Sequence, residues 1–448
     1  MKNRVISSVL LMMSINAYAS VQNFGSNVTW TEFRMDDYCN IKSESIGILP
    51  NYQSVRSKVQ NQLSAMKLSE IDTLRIFVEW GDIQPRPSNS PVYPIDPPST
   101  SLPDSYFTNI NNFLLDAKAA GIQNVIIAFA GFGSYGASCT SDLTNIVLPT
   151  FENTVDKLMS QVVLSPGSKP NIKIDLQNEI SPSNYGDQCF KDAATSFIKS
   201  LWSYYVSHYG NSRASFSSIL DNSTDPRIAG NRLANLIAAL KSSGYALPTW
   251  FDVHAYESRS GTVNMLRGVY QIYSDYGLLS NGAEPKETVV GETFYEDQDS
   301  ANGISDYLAY YDGYNGGSIN LTTVVDWPVP GPSQHNTCGQ FPRYSPPYKK
   351  TVYKNVLSYG YTNLPTISAS PLVTANGTTT LSWNSASASR VGIRVSVNGQ
   401  PSVPNWGGDP VGSYSPNWLN GSGNFYTFLI YADPGPGILL DSVTVFAQ

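Results

Sequence analysis

The chain has 448 residues, of which 41% are hydrophobic and 14% are charged, and its net charge at pH 7 is −7. This composition supplies a large apolar core and excludes an intrinsically disordered chain, and the length allows one large domain followed by a small one. The net negative charge also excludes the electrostatic signature of a protein that binds nucleic acid or an anionic lipid surface.

The first 19 residues have the pattern of a secretory signal peptide. Lys2 and Arg4 precede a mostly apolar core at residues 5–15, and residues 17–19 (AYA) fit the small-x-small cleavage rule. The core is too short to span a bilayer comfortably, although an uncleaved N-terminal anchor is the alternative. We therefore expect cleavage after Ala19, a secreted or periplasmic mature protein, and no membrane span after cleavage.

Residues 21–361 alternate short β-branched runs with helical patterns, which predicts a parallel sheet. The predicted strands cover residues 24–30, 73–79, 124–130, 173–177, 213–220, 250–254, 288–291 and 322–326. The predicted helices cover residues 55–66, 107–120, 151–163, 193–209 and 227–243. This order predicts an α/β fold with a (β/α)8 barrel over residues 20–362. An open doubly wound sheet is the alternative, but no Gly-rich phosphate turn follows an early strand.

The pattern changes near residue 365, where period-2 runs replace helical spacing. Predicted strands cover residues 378–383, 390–398, 425–432 and 439–446. Residues 365–448 are therefore expected to form a small β-sandwich of the immunoglobulin-like type. Trp383, Trp406 and Trp418 are candidates for a sugar-binding face, but we favour a structural role, in which this domain packs against the barrel.

Two carboxylates are predicted at the carboxyl-terminal rim of the barrel, where the active sites of (β/α)8 enzymes lie. The fourth predicted strand ends in Gln177-Asn178-Glu179, and the seventh is followed directly by Glu292. Strands four and seven stand nearly opposite each other in a closed barrel, so the two carboxylates can face each other across its mouth. Cleavage of a glycosidic bond needs such a pair, because one acid protonates the leaving oxygen and the other carboxylate acts across the anomeric carbon.

This ordered set of strand-end residues resembles clan A of the retaining glycoside hydrolases, which includes cellulase-like and xylosidase-like families. The resemblance covers about the first three quarters of the chain. It implies that Glu179 is the acid/base, that Glu292 is the nucleophile, and that Asn178 contacts the sugar 2-hydroxyl group. The alternative for both glutamates is a carboxylate at a helix N-terminus, but that alternative does not explain why both follow buried strands.

The resemblance also implies a set of residues around the sugar. Arg75 would steady the nucleophile, Tyr256 of the motif His254-Ala255-Tyr256 would donate a hydrogen bond to it, and Trp327 would form an aromatic platform. A structural ion pair is the alternative for Arg75, and barrel packing is the alternative for Trp327. The expected substrate contacts are Arg75, Asn178, His254, Tyr256, Trp327, Trp30 and Trp80.

The expected activity is retaining hydrolysis of an O-glycosidic bond in a polysaccharide or oligosaccharide by double displacement. Arg75 and Tyr256 are expected to keep Glu292 ionised, whereas Glu179 needs a raised pKa in order to start protonated. The chain has only three histidines and none lies in a metal-binding repeat, so we expect no metal, no organic cofactor and a monomeric protein. A transglycosidase and an inactive carbohydrate-binding barrel are the alternatives.

The cysteines also bear on the barrel, because a closed barrel makes strands one and eight neighbours. Cys39 and Cys338 follow those two strands, and Cys139 and Cys189 follow the neighbouring strands three and four. An even number of cysteines in an exported chain indicates disulfides. Of the three possible pairings we therefore expect Cys39–Cys338 and Cys139–Cys189.

Overall fold

The computed structural model describes most of the predicted barrel and sandwich. The described residues are 21–28, 30–32, 46–68, 71–78, 102–129, 147–184, 188–279, 285, 287–295, 297–314, 319–330, 353, 356–357, 366–370, 373–374, 377–385, 390–397, 403–421, 424–432 and 439–447. The predicted signal peptide, Trp80, Cys39, Cys139 and Cys338 lie outside them. No helix in the described part of the chain is long and apolar enough to cross a lipid bilayer.

Within these residues, the sheet of the first domain contains a short strand, Phe294–Tyr295, which pairs with Leu321–Pro330, and the eight parallel strands that form the barrel. They are β1 (Asn23–Asn27), β2 (Thr73–Val78), β3 (Asn124–Phe129), β4 (Asn171–Asp175), β5 (Ala214–Ser215 and Ser217–Ile219), β6 (Trp250–His254), β7 (Glu287–Glu292) and β8 (Leu321–Pro330). The first half of β5 pairs with β4 and its second half pairs with β6, with only Phe216 between the halves. The strand order 5-4-3-2-1-8-7-6-5 therefore closes on itself, which confirms the predicted barrel.

Helices connect the strands. In the described ranges they are α1 (Tyr52–Leu68), α2 (Asp104–Ala119), α3 (Leu148–Leu158), α4 (Gln188–Tyr209), α5 (Pro226–Ala229), α6 (Asn231–Lys241), α7 (Arg259–Asp275) and α8 (Gln298–Tyr314). The single helix predicted over residues 227–243 is wrong, because it breaks at Gly230. A Cβ atom at Gly230 would lie 2.7 Å from the carbonyl oxygen of Gly268, so the two glycines let this break pack closely against α7.

Three predicted strand boundaries need correction. The first strand ends at Asn27, and Trp30 belongs instead to a short antiparallel pair of Trp30–Glu32 with Ile46–Gly47. The fourth strand ends at Asp175, so Glu179 lies beyond the strand in a turn. The seventh strand includes Glu292 as its last residue, so the two carboxylates reach the rim from different backbone environments.

Side chains alternate between the outside and the inside of the barrel. The outward residues pack beneath the helices in one large apolar core, while Ile126, Trp250, Val289 and Val325 form a separate cluster inside the barrel. The next inward position on β6 after Trp250 is Asp252, which is fully buried. The interior therefore changes from apolar to charged toward the carboxyl ends of the strands.

A β-sandwich follows the barrel. Its strands within the described residues are β9 (Thr366–Ser370), β10 (Val373–Thr374), β11 (Thr380–Asn384), β12 (Val391–Val397), β13 (Val403–Gly408), β14 (Val411–Tyr414), β15 (Phe425–Ala432) and β16 (Leu439–Ala447). One sheet has the order β9-β11-β14 and the other has the order β10-β16-β15-β12-β13. Residues of both sheets, such as Leu381 and Phe428, share one apolar core. The barrel core extends to Leu357 and this second core begins at Ile367, so the exact domain boundary stays a prediction.

Trp383 and Trp418 of the sandwich have structural positions, whereas the side chain of Trp406 lies outside the described part of the chain. Trp383 is buried in the core, and its indole N–H donates to the carbonyl oxygen of Asp409 at 3.1 Å. Trp418 packs against the same core beside Tyr426 and Phe428. These contacts agree with the structural role favoured from the sequence, while packing of the sandwich against the barrel stays a prediction.

Of the four cysteines, only Cys189 lies within the described residues, at the start of α4. Both predicted pairings therefore stay predictions.

Gly291, on β7, allows a test of how tightly the charged interior of the barrel is packed. A Cβ atom built there would lie 2.0 Å from Oδ1 of Asp252, which is closer than any side chain tolerates. We expect Gly291→Ala to lower the free energy of unfolding by about 1–3 kcal/mol, because overpacking a rigid core forces shifts in its neighbours. Gly392→Ala in β12 is the control, since a Cβ there meets nothing within 4 Å. Urea unfolding of both variants measures the difference, and equal stability of the two would contradict the proposed packing.

Candidate active site

Arg75 is the centre of the charged cluster at the top of the barrel. It is fully buried, and its guanidinium donates to Oε1 of Glu292 at 2.5 Å, to Oδ2 of Asp175 at 2.8 Å and to Oδ1 of Asn178 at 2.6 Å. Its Nε atom lies 3.3 Å from Oδ2 of Asp252. The planar fork of an arginine suits this task, because it offers several donors in fixed directions and keeps its charge when buried.

Glu292 is held from both sides. Oε1 accepts from Arg75, and Oε2 accepts from the hydroxyl group of Tyr256 at 2.5 Å. Its side chain is only 6% exposed. Burial raises the pKa of Glu292, and the positive charges of His254 and Arg75 oppose this rise. The carboxylate is therefore fixed in direction, with little freedom to rotate away from the mouth of the barrel.

Glu179 has a more open setting. Its side chain is 34% exposed, and its φ angle of 52° places it in the left-handed region that non-glycine residues rarely adopt. Its backbone N–H donates to Oγ of Ser217 at 2.8 Å, which helps to hold this conformation. Strained backbone of this kind is commonly found at functional sites.

His254 connects the two carboxylates. Its Nδ1 atom lies 2.8 Å from Oε1 of Glu179 and 3.7 Å from Oε2 of Glu292. Burial would raise the pKa of Glu179, but the hydrogen bond and the charge of His254 outweigh burial and lower that pKa. This direction is opposite to the raised pKa expected for an acid/base, and the cause is the imidazole beside it.

The ligand atoms of Glu179, His254 and Glu292 all lie within 4.8 Å of one another, so one oxygen of each carboxylate faces the other across the mouth. A group of this composition has donors that a divalent cation accepts. The guanidinium of Arg75 already binds Glu292, however, so a metal ion there would sit beside a permanent positive charge. The donor set therefore favours direct use of the carboxylates.

Aromatic rings line the Arg75 side of this cluster. The Phe77 ring lies 4.7 Å from the guanidinium carbon of Arg75, and the half-buried Trp327 packs edge-on against Phe77 at 5.3 Å. Phe294 packs against Tyr256 in the same way at 5.2 Å. Trp327 is thus close to the cluster, and its role as an aromatic platform stays a prediction.

The structure brings together most of the residues predicted from the sequence. Hydrogen bonds and ion pairs join Arg75, Asn178, Glu179, His254, Tyr256 and Glu292. The side chain of Trp30 and all of Trp80 lie outside the described residues. Both stay predictions as substrate contacts.

Three contributors were not predicted from the sequence: Asp175, Ser217 and Asp252. Asp252 is a charged residue in a mostly apolar predicted strand and lies two residues before His254, so strand parity places both on the inward face and was the available signal. Asp175 lies in a strand that also contains Lys173, so its charge did not stand out in the sequence. Ser217 carried no comparable signal, since its strand is short and split in two.

No protein-family model matches the sequence, and no curated protein sequence matches it either. Solved structures match in fold at low identity. The exo-β-1,4-mannosidase Op5Man5 from Opitutaceae bacterium strain TAV5 is 12% identical, with 78% of this chain and 62% of that chain covered and a TM-score of 0.41. This chain thus spans less than two thirds of that protein. A GH5_18 protein from Streptomyces cattleya, solved with GlcNAc, is 12% identical over 69% of this chain and 70% of that chain, with a TM-score of 0.42.

The homocysteine methyltransferase MmuM from Escherichia coli also matches, at 11% identity, with 71% of this chain and 95% of that chain covered and a TM-score of 0.38. A shared fold does not imply a shared function. The function of this protein must be argued from its own site.

Proposed function

We propose that this protein is a retaining glycosidase that cleaves O-glycosidic bonds in a polysaccharide or oligosaccharide. The observation that carries the proposal is the pair of carboxylates at the mouth of the barrel, with oxygens of Glu179 and Glu292 within 4.8 Å of each other. Retaining enzymes hold their carboxyl groups about 5–5.5 Å apart, whereas inverting enzymes need about 6.5–9.5 Å to admit a water molecule. The short separation supports direct attack by one carboxylate.

The surroundings of the two carboxylates assign their roles. Glu292 is buried and fixed by Arg75 and Tyr256, which suits a nucleophile that must attack along one direction. Glu179 is more exposed, and its carboxylate contacts His254, which suits a group that exchanges protons with a leaving group and with water.

The reaction then proceeds in two displacements. Glu292 attacks the anomeric carbon while Glu179 protonates the departing oxygen, and a covalent glycosyl-enzyme forms. The leaving group departs, water takes its place, and Glu179 removes a proton from that water as it attacks the anomeric carbon. Glu292 is released as a carboxylate, and the sugar keeps its anomeric configuration.

Asn178 and Trp327 are proposed to recognise the sugar. The side-chain oxygen of Asn178 accepts from Arg75 at 2.6 Å, which fixes the amide so that its NH2 group can point toward a sugar hydroxyl group. The indole ring of Trp327 packs against Phe77 beside Arg75, and sugar C–H groups pack well on an aromatic face of this kind. These contacts would select a pyranose in one orientation without a metal or cofactor.

The proposal is tested by incubating the purified protein with a panel of polysaccharides and aryl glycosides. Reducing-end release with an anomeric configuration that matches the substrate, read by NMR before mutarotation, is the expected result. Binding without turnover would instead identify a carbohydrate-binding barrel. Products extended by an added sugar acceptor, in place of hydrolysis products, would identify a transglycosidase.

Ser217 is expected to matter for turnover although it does not reach the reacting atoms. Its hydroxyl group accepts from the backbone of Glu179 at 2.8 Å and donates to Oδ1 of Asn178 at 3.3 Å. We expect Ser217→Ala to lower kcat by about 10-fold, which corresponds to about 1.4 kcal/mol, with little change in KM, because Glu179 would lose the contact that holds its turn.

Ser218→Ala is the matched control for this experiment. Ser218 is the next residue of β5 and is equally buried, but its hydroxyl group donates to the carbonyl oxygen of Ile219. We expect Ser218→Ala to retain a kcat close to that of the wild-type protein. Equal loss in the two variants would indicate a general packing defect and would contradict the role given to Ser217.

A further inference from the structure

The imidazole of His254 bridges two carboxylates of different character. Nδ1 lies 2.8 Å from Oε1 of Glu179 at the open mouth, and Nε2 lies 3.6 Å from Oδ1 of Asp252 in the closed interior. The side chains of His254 and Asp252 are both fully buried. The distance to Asp252 is that of an ion pair and not of a good hydrogen bond. Buried Asp252 therefore relies on positive charge nearby.

The charges facing His254 from each surrounding strand are strongly unbalanced. Asp175 and Glu179 come from β4 and the turn after it, Glu292 from β7, and Asp252 from β6 itself, against the one guanidinium of Arg75 from β2. The hydroxyl of Tyr256, which binds Glu292, is held protonated, because burial and the nearby Glu292 raise the pKa of Tyr256.

A buried cluster with such an excess of negative charge is costly unless another group becomes cationic. Burial would lower the pKa of His254, but Glu292, Asp252 and Glu179 outweigh burial and raise that pKa to about 10.

We propose that His254 stores the proton that Glu179 donates to the leaving group, and that Asp252 is a positioning residue that holds the imidazole in its cationic form. The inference rests on the function proposed above. It also explains why Glu179 has a lowered pKa in the free site: the acid proton of the pair lies on nitrogen until the sugar binds.

The proton follows a balanced cycle. It moves from Nδ1 of His254 to Oε1 of Glu179 along their hydrogen bond, and from Glu179 to the departing glycosidic oxygen as the bond to the anomeric carbon breaks. His254 is then neutral and Glu179 is a carboxylate. In the second displacement Glu179 removes a proton from water and passes it back to Nδ1. One proton enters and one leaves in each turnover.

The charge of Glu292 determines when the proton moves between His254 and Glu179. Its Oε2 atom lies 3.7 Å from Nδ1 of His254, so its negative charge helps to hold the stored proton there. When Glu292 forms the ester with the sugar it loses that charge, and the proton is released toward Glu179 at the moment the leaving oxygen needs it. Hydrolysis of the ester restores the charge and draws the proton back to the imidazole.

The test uses ¹⁵N NMR of the histidine side chains, which is simple here because the chain has only three histidines. His208, exposed on α4, serves as an internal reference in the same spectrum. His254 is assigned by its loss in His254→Asn. In the wild-type protein we expect both ring nitrogens of His254 to be protonated at pH 7.5, whereas a neutral ring would overturn the proposal.

Asp252→Asn tests whether Asp252 holds the imidazole of His254 in its cationic form. Glu179→Gln tests whether His254 stores the proton for Glu179. We expect each substitution to lower the pKa of His254 by about 1–3 units, because a negative charge close to the ring is removed. In Asp252→Asn the basic limb of kcat/KM should move to lower pH with it, since the stored proton is lost earlier. An unchanged His254 pKa in Asp252→Asn would overturn the role of Asp252. Should that variant not fold, Glu179→Gln still decides the proton store, because an unchanged His254 pKa there would overturn it.

The NMR measurement needs no substrate, so it separates this inference from the proposed function. A cationic His254 in a protein that hydrolyses no glycoside would overturn the function and leave the charge state established. Turnover with a neutral His254 would retain the function and overturn the proton store.

Discussion

Replacing Glu292 with glutamine is expected to lower kcat/KM for glycoside hydrolysis by about 10⁴-fold or more, which corresponds to at least about 5 kcal/mol of transition-state stabilisation. A glutamine side chain has the same shape, so Tyr256 and Arg75 can still contact it, but an amide oxygen cannot form the glycosyl ester. The loss should appear in kcat, because the first displacement is blocked after the sugar has bound. Steady-state kinetics on the best substrate of the panel measure it.

Glu287→Gln is the control for this experiment. Glu287 begins the same strand at the opposite end of the barrel, where it forms an ion pair with Lys173 and accepts from Thr322. The same chemical change on the same strand should leave kcat/KM close to the wild-type value. Comparable activity of Glu292→Gln and Glu287→Gln would contradict the assignment of the nucleophile.

Replacing Glu179 with alanine is expected to lower hydrolysis of natural glycosides by about 10²–10⁴-fold, the usual contribution of a general acid–base group. Aryl glycosides with good leaving groups should form the glycosyl-enzyme almost normally, because their leaving oxygen needs no proton. Turnover then stalls at the second displacement, since no base activates the water. A burst of aryl alcohol followed by slow release is therefore expected in stopped-flow measurements.

Adding sodium azide provides a more specific test of the acid/base role of Glu179. Azide needs no general base, and the space left by the missing carboxylate admits it, so it should restore turnover of the aryl glycoside by Glu179→Ala. The product should be a glycosyl azide of the same anomeric configuration as the substrate. Wild-type protein should show no such acceleration. Absence of rescue together with equal loss on natural and aryl glycosides would contradict the acid/base role.

The barrel and its catalytic rim could be predicted because the sequence carries their signals locally. The run at residues 124–130 is almost wholly apolar, as an interior strand requires, and β6 (Trp250–His254) was predicted with its observed bounds. Glu179 follows strand four and Glu292 ends strand seven, which places both at one rim, since the carboxyl ends of parallel strands lie on one side.

Features that depend on distant pairing could not be predicted in the same way. Helices α7 and α8 were not predicted, and each contains internal glycines, among them Gly268 and Gly303, that weaken the helical signal. Gly303 has its own structural reason, because a Cβ atom there would lie 2.5 Å from the carbonyl oxygen of Arg259. Tertiary packing therefore stabilises α7 and α8, whose local helix propensity is weak.

The pKa values of the two carboxylates, Glu179 and Glu292, were the property of the site that the sequence predicted least well. The expectation of a raised pKa for Glu179 followed from the role it would play, but His254, 75 positions away, lowers that pKa by its hydrogen bond and its charge, and Arg75 and Arg232 add to the lowering. Asp252 adds to the effect from inside the barrel, where only strand parity could have placed it. The site therefore needed the three-dimensional arrangement before its protonation could be argued.

The central claim is that Glu292 carries the sugar covalently, and trapping that intermediate tests it most directly. The protein is incubated with a 2-deoxy-2-fluoro glycoside of the sugar that the panel identifies, then digested and analysed by mass spectrometry. The account predicts a mass increase of one fluoroglycosyl unit on the peptide that contains Glu292, and none in Glu292→Gln. A label on Glu179, or turnover of the natural glycoside with inverted configuration and no label, would contradict it.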